Sequence, residues 1–496
     1  MEKRNEKFVL ALDQGTTSTR AIIFDARGNI ISSAQREFKQ IYPRPGWVEH
    51  SPADILGTAY GCISEAVGRA KIDVFSIECM GITNQRETVV VWDADSGEPL
   101  YNAIVWQCRR TADECKRLHE EGYAYRIYEK TGLMPDAYFS ATKIKWIIDN
   151  VPAAVEAADK GKLRVGTIDT YLAYNLSGGK IFATDYTNAA RTMLYNIRTL
   201  QWDDELLELF SLNREMLPEV RPSGYFYGTT TREVLGREIP ICALVGDQQS
   251  ALYGQHAVSA GTAKCTFGTG CFLLSNTGSE CVRSQSGLLT TLTATVDTPD
   301  YALEGSVFTG GAAVQWLRDE MRLVRTAAET EQAALSVPDS GGVYVVPAFV
   351  GLGAPYWDSD VRGTIIGITR GTTREHIIRA TLEGIAYQCL DVIEAMRADT
   401  NLSFDWFCVD GGASANDFLI QFLSDISGTE LVRPRIIETT ALGAAMLASV
   451  AFDGETKELN YCPDFAEKIF TPSISDSVRD ALVSGWHSAV RTARHK

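Results

Sequence analysis

The sequence lacks several features that would place it in a specialised class. Its 11 cysteines include no Cys-x-x-Cys pair, so neither a zinc framework nor a disulfide scaffold is expected. No apolar run is long enough to span a membrane, and the charged residues 1–7 do not resemble a signal peptide. We therefore expect a cytoplasmic protein with reduced thiols.

Basic residues are in the minority. The 47 lysines and arginines face 63 aspartates and glutamates, and the formal net charge of −16 argues against nucleic acid or an anionic membrane as the main partner. The 496 residues, 45% of them hydrophobic, exceed a single core and fit two domains. We place these domains at residues 1–252 and 253–496, because glycines punctuate the segment around that boundary.

Two common phosphate-transfer designs are also missing. The chain has neither a Gly-x-x-x-x-Gly-Lys-Ser/Thr loop nor a His-Arg-Asp catalytic loop, which disfavours P-loop and protein-kinase designs. Instead, strand patterns alternate with helix patterns, and this alternation predicts an α/β fold. Strands are expected at residues 8–12, 21–25, 77–82, 88–92, 165–168, 241–245, 263–267, 343–347 and 406–409. Helices are expected at residues 52–69, 109–121, 375–397 and 415–426.

A polar turn near the amino terminus joins two of these strands. The segment from Asp13 to Arg20 contains Gly15 and four hydroxyl residues, and apolar runs flank it on both sides. Glycine lets successive N–H groups converge on an anion, hydroxyl groups add donors, and an aspartate can hold Mg²⁺. The segment therefore predicts a phosphate-binding hairpin, with an ordinary solvent-facing hairpin as the alternative.

Similar elements recur later in the chain. Gly268-Thr269-Gly270 joins two strand-like runs, and Asp410-Gly411-Gly412 links a strand to a predicted helix. Small residues at such a link let the backbone approach a flat ligand, which favours an adenosine pocket over a plain capped turn. One phosphate hairpin in each half of the chain suggests two similar lobes that close on one nucleotide.

Together these three elements resemble the ATPase core of sugar kinases, actin and heat-shock ATPases. The run from Tyr138 to Asn150 matches one signature of the FGGY carbohydrate kinases, and the run from Gly363 to Glu383 matches the other. The resemblance covers residues 8 to 450 and implies an α/β, two-lobed actin-like sugar-kinase fold, with ribonuclease-H-like domains and a cleft between the lobes. Within the family, the chain resembles members that act on glycerol, and the resemblance lies in the segments 82–87, 105–110, 184–189, 246–249 and 351–357.

A small polyol needs charged hydrogen-bonding groups on one side and aromatic walls on the other. The resemblance implies that seven residues contact glycerol: Arg86, Glu87, Trp106, Tyr138, Asp247, Gln248 and Phe272. Each has a structural alternative. Arg86 and Glu87 could form a solvated surface pair, Trp106 could lie in the core, and Asp247 or Gln248 could cap a helix.

ATP and Mg²⁺ are the implied cofactors. We expect Asp247 to act as general base on the polyol hydroxyl, and Asp13 and Asp247 to hold the metal. The nucleotide contacts expected from the hairpins and the resemblance are Thr16, Thr17, Ser18, Arg20, Thr269, Gly311, Gln315, Gly412 and Asn416.

The expected activity is ATP-dependent phosphorylation of glycerol to sn-glycerol 3-phosphate, by a dimer or tetramer of this chain. One alternative is a kinase of the same family for another polyol or ketose, and a more distant one is an actin-like or chaperone-like ATPase. The stretch 229–238 holds a single glycine, Gly236, and no histidine, which departs from the regulatory patterns known in the family.

Overall fold

Strands and helices alternate along the chain, as the sequence pattern predicts. The computed structural model describes residues 7–358, 360–404, 406–453 and 465–495. The strands are β1 Phe8–Gln14, β2 Ser18–Asp25, β3 Ile30–Glu37, β4 Gln40–Ile41, β5 Glu49–His50, β6 Ile77–Asn84, β7 Val89–Asp93, β8 Ala103–Ile104, β9 Leu163–Thr167, β10 Ala183–Asp185, β11 Tyr195–Asn196, β12 Gln201–Trp202, β13 Glu219–Arg221, β14 Gly224–Thr229, β15 Pro240–Gly246, β16 Thr262–Phe267, β17 Cys271–Gly278, β18 Leu289–Leu292, β19 Tyr301–Val307, β20 Tyr344–Val346, β21 Thr364–Ile366, β22 Trp406–Asp410, β23 Leu431–Pro434 and β24 Ala466–Phe470.

The α-helices are α1 Pro52–Ala70, α2 Ala112–Glu120, α3 Ala124–Thr131, α4 Ser140–Asn150, α5 Pro152–Asp159, α6 Ile168–Leu176, α7 Tyr186–Ala189, α8 Asp204–Leu209, α9 Arg232–Leu235, α10 Asp247–Gly254, α11 Gly311–Asp319, α12 Glu329–Leu335, α13 Arg374–Thr400, α14 Asp417–Ser427, α15 Thr439–Asp453 and α16 Asp476–Arg494. Short 3₁₀ helices lie at Val74–Ser76, Arg214–Met216 and Gly412–Ala415. Across the described residues, none of the helices has the length and apolarity that a membrane span requires. Residues 1–6, part of the segment in which no signal peptide is expected, lie outside the described residues.

The chain divides into two compact units. The first comprises the described residues within Met1–Gly254, Thr291–Tyr301 and Thr439–Pro463. The second comprises those within Gln255–Thr290, Ala302–Glu438 and Asp464–Lys496. The first unit thus contains segments from both halves of the sequence, because a late helix, α15, packs on its sheet.

A six-stranded sheet in the order β14-β15-β6-β1-β2-β3 forms the centre of the first unit. β1 and β2 form the predicted antiparallel hairpin, and β1 also pairs in parallel with β6, which in turn pairs in parallel with β15. Gln14, Asn84 and Gly246 are register partners at the carboxyl ends of these three parallel strands. The segments that follow β1, β6 and β15 therefore begin at one edge of the sheet.

Helix α1 illustrates how local sequence sets an element. Ser51 precedes it and accepts a hydrogen bond from the backbone N–H of Asp54, while Pro52 occupies the first helical position. Buried residues recur at helical spacing and pack against the sheet. The helix predicted at 109–121 begins only at Ala112, because the preceding residues form hydrogen-bonded turns.

The second unit repeats part of this plan in a seven-stranded sheet with the order β18-β19-β17-β16-β22-β23-β24. β16 and β17 form an antiparallel hairpin, and β16 pairs in parallel with β22, as β1 pairs with β2 and β6. The long helix α13 supplies much of the core of this unit. The predicted likeness between the two hairpins is confirmed at the level of topology.

Helix α15 packs closely on β6 because Gly81 in that strand is a glycine and has no side chain. A Cβ atom on Gly81 would lie 2.2 Å from the carbonyl oxygen of Ala444 in α15. Backbone atoms cannot retreat as a flexible side chain can, so a larger residue here must push the helix away from the sheet.

We predict that Gly81→Ala lowers the free energy of unfolding by about 1–3 kcal/mol, the usual cost of overpacking a core. Gly57→Ala is the matched control, because Gly57 is exposed in α1 and an added Cβ would meet nothing within 4 Å. The control should be slightly more stable than wild type, by about 0.5–1 kcal/mol, since alanine favours helices. Urea unfolding followed by circular dichroism measures both; equal midpoints for the two variants would contradict the prediction.

Candidate active site

The first hairpin, which is predicted to bind phosphate, presents its polar groups at the sheet edge where β1 ends. The Gly15 N–H donates to the carbonyl of Ser18 at 2.9 Å and closes the turn. Asp13 and Arg20 lie opposite each other in the strand ladder. Gln35 accepts from Nη2 of Arg20 at 2.9 Å and donates to Oγ of Ser18 at 2.9 Å. Thr17 at the tip is exposed, so hydroxyl and cationic groups occupy one end of the hairpin.

Side-chain amides support this turn by hydrogen-bonding to its backbone carbonyls. Nε2 of Gln85 donates to Oε1 of Gln14 at 3.0 Å and to the carbonyl of Gly15 at 3.1 Å. Gln40 donates to the carbonyl of Thr16 at 3.1 Å, and its own Oε1 is hydrogen-bonded to His50 at 2.7 Å. Burial lowers the pKa of His50 to about 4, so the imidazole is neutral near pH 7. Sequence reasoning did not predict these supporting side chains.

Arg86 and Glu87 follow the end of β6 and are buried, with 2% and 1% of their surfaces exposed. The alternative of a solvated surface pair is therefore wrong. Nε of Arg86 lies 3.3 Å from Oδ1 of Asp247 and 3.8 Å from Oε1 of Glu87. Its Nη1 donates to Oε1 of Gln249 at 3.1 Å, and its Nη2 donates to the hydroxyl of Tyr138 at 3.4 Å. Arg86 thus joins three of the other predicted polyol contacts.

Glu87 has a second cationic partner that the sequence did not reveal. Nε of the fully buried Arg191 donates to Oε1 of Glu87 at 2.5 Å. The guanidinium of Arg191 also lies over the rings of Tyr138 and Phe139, 5.5 Å and 5.2 Å from their centroids. The one signal in the sequence that could have pointed to Arg191 is its position just after the segment 184–189, which resembles the family.

Asp247 is the first residue of α10 and follows directly on β15. Its Oδ1 accepts a hydrogen bond from the backbone N–H of Gln248 at 2.7 Å. Whereas the side chain of Arg86 is 1% exposed, that of Asp247 is 28% exposed. The carboxylate is therefore held on one side by a buried cation and is accessible on the other.

Aromatic residues connect the predicted polyol contacts to the phosphate hairpin. The indole Nε1–H of Trp106 donates to the hydroxyl of Thr16 at 2.9 Å. The rings of Trp106 and Tyr138 meet edge to face, with centroids 5.6 Å apart. Trp106 is half-buried, so it is not a core residue, and Gln248 is 9% exposed. In the first unit, the predicted polyol and phosphate residues thus form one connected group.

The second hairpin is organised by the amino terminus of α11. The N–H groups of Gly310 and Ala312 donate to the carbonyl of Thr269 at 2.8 Å and 3.1 Å, and that of Gly311 donates to Gly268 at 2.8 Å. A Cβ on Gly311 would lie 2.7 Å from the Gly268 carbonyl oxygen, so this close approach requires glycine. Thr269 is exposed, and Gly311 is half-buried.

The remaining predicted residues lie on other elements of the second unit. Gln315 is exposed on α11, Gly412 is exposed in the 3₁₀ helix after β22, and Phe272 is half-buried on β17. Asn416 caps α14, because its side chain accepts from the Leu419 N–H at 3.0 Å. The helix predicted to begin at 415 therefore starts one residue after this cap. Asn416 therefore acts as a helix cap, and its amide also donates to the hydroxyl of Thr330 at 3.2 Å.

Two protein-family models match the chain. The model for the N-terminal domain of the FGGY family of carbohydrate kinases matches residues 8–254. The model for the C-terminal domain of the same family matches residues 263–452. Together they cover well over half of the sequence.

Curated relatives and solved structures agree with this match. Glycerol kinase 1 of Clostridium tetani is 56% identical over 487 residues, 98% of this chain and 98% of that protein. Glycerol kinase of Symbiobacterium thermophilum is 55% identical over 492 residues, 99% of each. The crystal structure of Plasmodium falciparum glycerol kinase with ADP has a TM-score of 0.93 and 38% identity, covering 99% of each chain. A gluconate kinase from Lactobacillus acidophilus, with 23% identity, a TM-score of 0.89 and 99% of each chain covered, supports the fold alone.

We predict that Gly246→Ala disturbs the group around Arg86, because the new Cβ would lie 2.8 Å from Cγ and Cδ of that arginine. Displacing the guanidinium from Asp247 should raise the KM for the expected substrate, glycerol, at least tenfold, equivalent to about 1.4 kcal/mol of binding. Steady-state kinetics measure the change, with Gly68→Ala in α1 as a control whose Cβ would meet nothing within 4 Å. A KM within twofold of wild type in both variants would show that this glycine is dispensable.

Proposed function

Because the chain belongs to the FGGY family of carbohydrate kinases, we propose that it transfers the terminal phosphate of ATP to glycerol and forms sn-glycerol 3-phosphate. The glycerol kinases of two bacteria share at least 55% of its residues over nearly the full length. The observation that carries the proposal is the buried pair Arg86 and Glu87, which lies with the accessible carboxylate of Asp247 beside Trp106 and Tyr138. An assembly-driving ATPase has no need of such a group.

The chemistry of this group suits a three-carbon polyol. The carboxylates of Glu87 and Asp247 accept hydrogen bonds from hydroxyl groups, and the guanidinium of Arg86 donates to hydroxyl oxygens. The rings of Trp106 and Tyr138 offer apolar surface to the C–H groups. We propose the same contact roles for Gln248 and, from the family resemblance, for Phe272.

We propose Asp247 as the general base. An alkoxide is costly at neutral pH, so a positioned carboxylate that accepts the hydroxyl proton assists attack on the phosphorus atom. Asp247 suits this role because it is 28% exposed while its other side is paired with Arg86. The proton moves from the substrate hydroxyl to a carboxylate oxygen of Asp247 as the new oxygen–phosphorus bond forms and the bond from that phosphorus to the bridging oxygen of the departing ADP breaks.

Phosphoryl transfer depends mainly on positioning and on neutralisation of charge. We propose that Thr16, Thr17, Ser18 and Arg20 hold the terminal phosphates. Hydroxyls in a turn whose closure is already hydrogen-bonded lose little freedom when an anion binds. In the second unit, the proposed nucleotide contacts are Thr269, Gly311, Gln315, Gly412 and Asn416.

The carboxylates of Asp13 and Asp247 fit Mg²⁺. Both are oxygen donors that retain some exposure, and Mg²⁺ needs only one or two carboxylates because it keeps water and phosphate ligands. When bound with the nucleotide, Mg²⁺ would supply neutralisation of the phosphate charge. We also propose a cytoplasmic location, where ATP is available, and an assembly of two or four copies.

We predict that a coupled ADP-release assay with glycerol, dihydroxyacetone, erythritol and xylulose gives the highest kcat/KM for glycerol. Dihydroxyacetone lacks one hydroxyl of glycerol and would leave a buried polar group of the pocket unpaired, and erythritol and xylulose are longer than the three-carbon substrate that we propose. Preference for xylulose or erythritol would assign the chain to another activity of the same family. ATP hydrolysis without transfer to any of the four would favour an actin-like or chaperone-like ATPase.

We predict that Asp247→Asn lowers kcat about 10²–10⁴-fold and changes the KM for glycerol only a few-fold, because asparagine keeps the size but cannot accept the proton. Asp159→Asn, at an exposed position at the end of α5, is the matched control and should behave as wild type. Turnover of Asp247→Asn within tenfold of wild type would remove Asp247 from the general-base role.

A further inference from the structure

Lys143 is a fully buried lysine in the first unit, close to the start of α4. Its Nζ donates to three main-chain carbonyls: that of Tyr138, that of Phe139 at 3.1 Å and that of Glu87 at 3.3 Å. A lysine ammonium group has three N–H donors and no acceptor. The three carbonyls therefore use its whole donor capacity.

Two of these carbonyls belong to residues of the proposed polyol site. Glu87 follows β6 and has a left-handed backbone with φ of +61°, which is uncommon for a residue other than glycine. Tyr138 lies in the loop before α4 and is distant from Glu87 in sequence. The hydroxyl of Ser140 adds a second donor to the Glu87 carbonyl at 3.1 Å. The amino terminus of α4 thus holds both backbone segments.

We propose that Lys143 is a positioning residue of the polyol site. By donating to the carbonyls of Glu87 and Tyr138 at the same time, its ammonium group sets the separation of two side chains that bind the polyol. Lys143 acts through these residues, and the inference rests on the proposed function. Its effect should therefore fall on polyol binding and leave nucleotide binding unchanged.

A charged donor suits this role better than a neutral one. Hydrogen bonds from an ammonium group are about twice as strong as those between neutral groups, and they cross-link three carbonyls from one point. The cost of this arrangement is the burial of a charge. The titratable groups that face the ammonium group are Glu87, Cys108, Cys115 and Asp136. Burial lowers the pKa of Lys143 to about 8, and the nearby Glu87 opposes this shift.

The titration of Lys143 separates its local role from a general role in stability. Above about pH 8 the amine keeps two N–H donors for three carbonyls, so the cross-link weakens and the KM for glycerol should rise. Glycerol binding therefore weakens as the pH rises, whereas the contribution of Lys143 to the free energy of unfolding should increase. Its folded pKa lies below the ordinary value, so between about pH 8 and 10.5 the unfolded chain binds the extra proton and stability rises with pH.

The test compares Lys143→Met with wild type in steady-state assays at pH 7. Methionine fills a similar volume and removes the charge and all three donors. We expect the KM for glycerol to rise at least tenfold, with the KM for ATP within twofold. The matched control is Lys145→Met in the same helix, which loses an ion pair to Asp149 at 2.9 Å and should retain both KM values.

A second measurement needs no variant. The KM of the wild type for glycerol should be flat from pH 6.5 to about 8 and then rise, while the KM for ATP stays constant. This profile decides the question if Lys143→Met does not fold. A glycerol KM that is unchanged in a folded Lys143→Met, or that is flat to pH 9.5 in the wild type, overturns the inference.

The outcomes remain distinct from those that test the proposed function. That function fails if the wild type does not phosphorylate glycerol, whatever Lys143 does. Should the wild type prefer another polyol, the same comparison of KM values is made with that substrate. Equal increases in the KM values for polyol and ATP would indicate a general structural role and would also overturn the inference.

Discussion

The first unit is organised around a row of alternating charges that runs Asp247, Arg86, Glu87, Arg191. Nε of Arg86 lies between two carboxylates, at 3.3 Å and 3.8 Å, and Glu87 lies between two guanidinium groups. Moving any one of these charges out of water costs roughly several kcal/mol of solvation free energy, and only a nearby opposite charge offsets that cost. Each inner member has a partner on both sides, so the row can be buried. Only Asp247, at its end, keeps appreciable exposure, and this is where a proton acceptor is useful.

Several uncharged features keep the row in place. Gly246 has no side chain where the aliphatic stem of Arg86 passes, and Glu87 takes a left-handed backbone that turns its side chain toward Arg191. Gln249 accepts from Arg86, and its own amide donates to the hydroxyl of Thr291 at 3.2 Å. A neutral acceptor with a fixed orientation satisfies one of the guanidinium donors of Arg86 without adding another charge. The charges are therefore positioned by backbone shape and amides as much as by one another.

Much of the fold could be predicted because its signals are local. The apolar runs around Asp13–Arg20 and Gly268-Thr269-Gly270 each contain a hairpin in adjacent residues, and pairing follows from the turn. The proposed polyol residues Arg86 and Asp247 were grouped in advance by the family resemblance, and the structure gives the physical reason. They follow neighbouring parallel strands, whose carboxyl ends meet at one sheet edge. Asn416 shows the limit, because one residue type serves both a helix cap and a ligand contact.

The sequence by itself determined the hairpins, the α/β alternation and the identity of the groups that can accept a proton or bind a phosphate, since these depend on residue type and short-range order. Only the tertiary structure decided which of them share a buried environment. Arg191 lies 104 positions from Glu87, and Gln249 lies 163 positions from Arg86. In the sequence, Lys143 is an ordinary lysine of a predicted segment, and only the structure shows that it donates to three main-chain carbonyls. Burial and long-range pairing set the charge, orientation and pKa of such groups, and neither is encoded in their immediate neighbours.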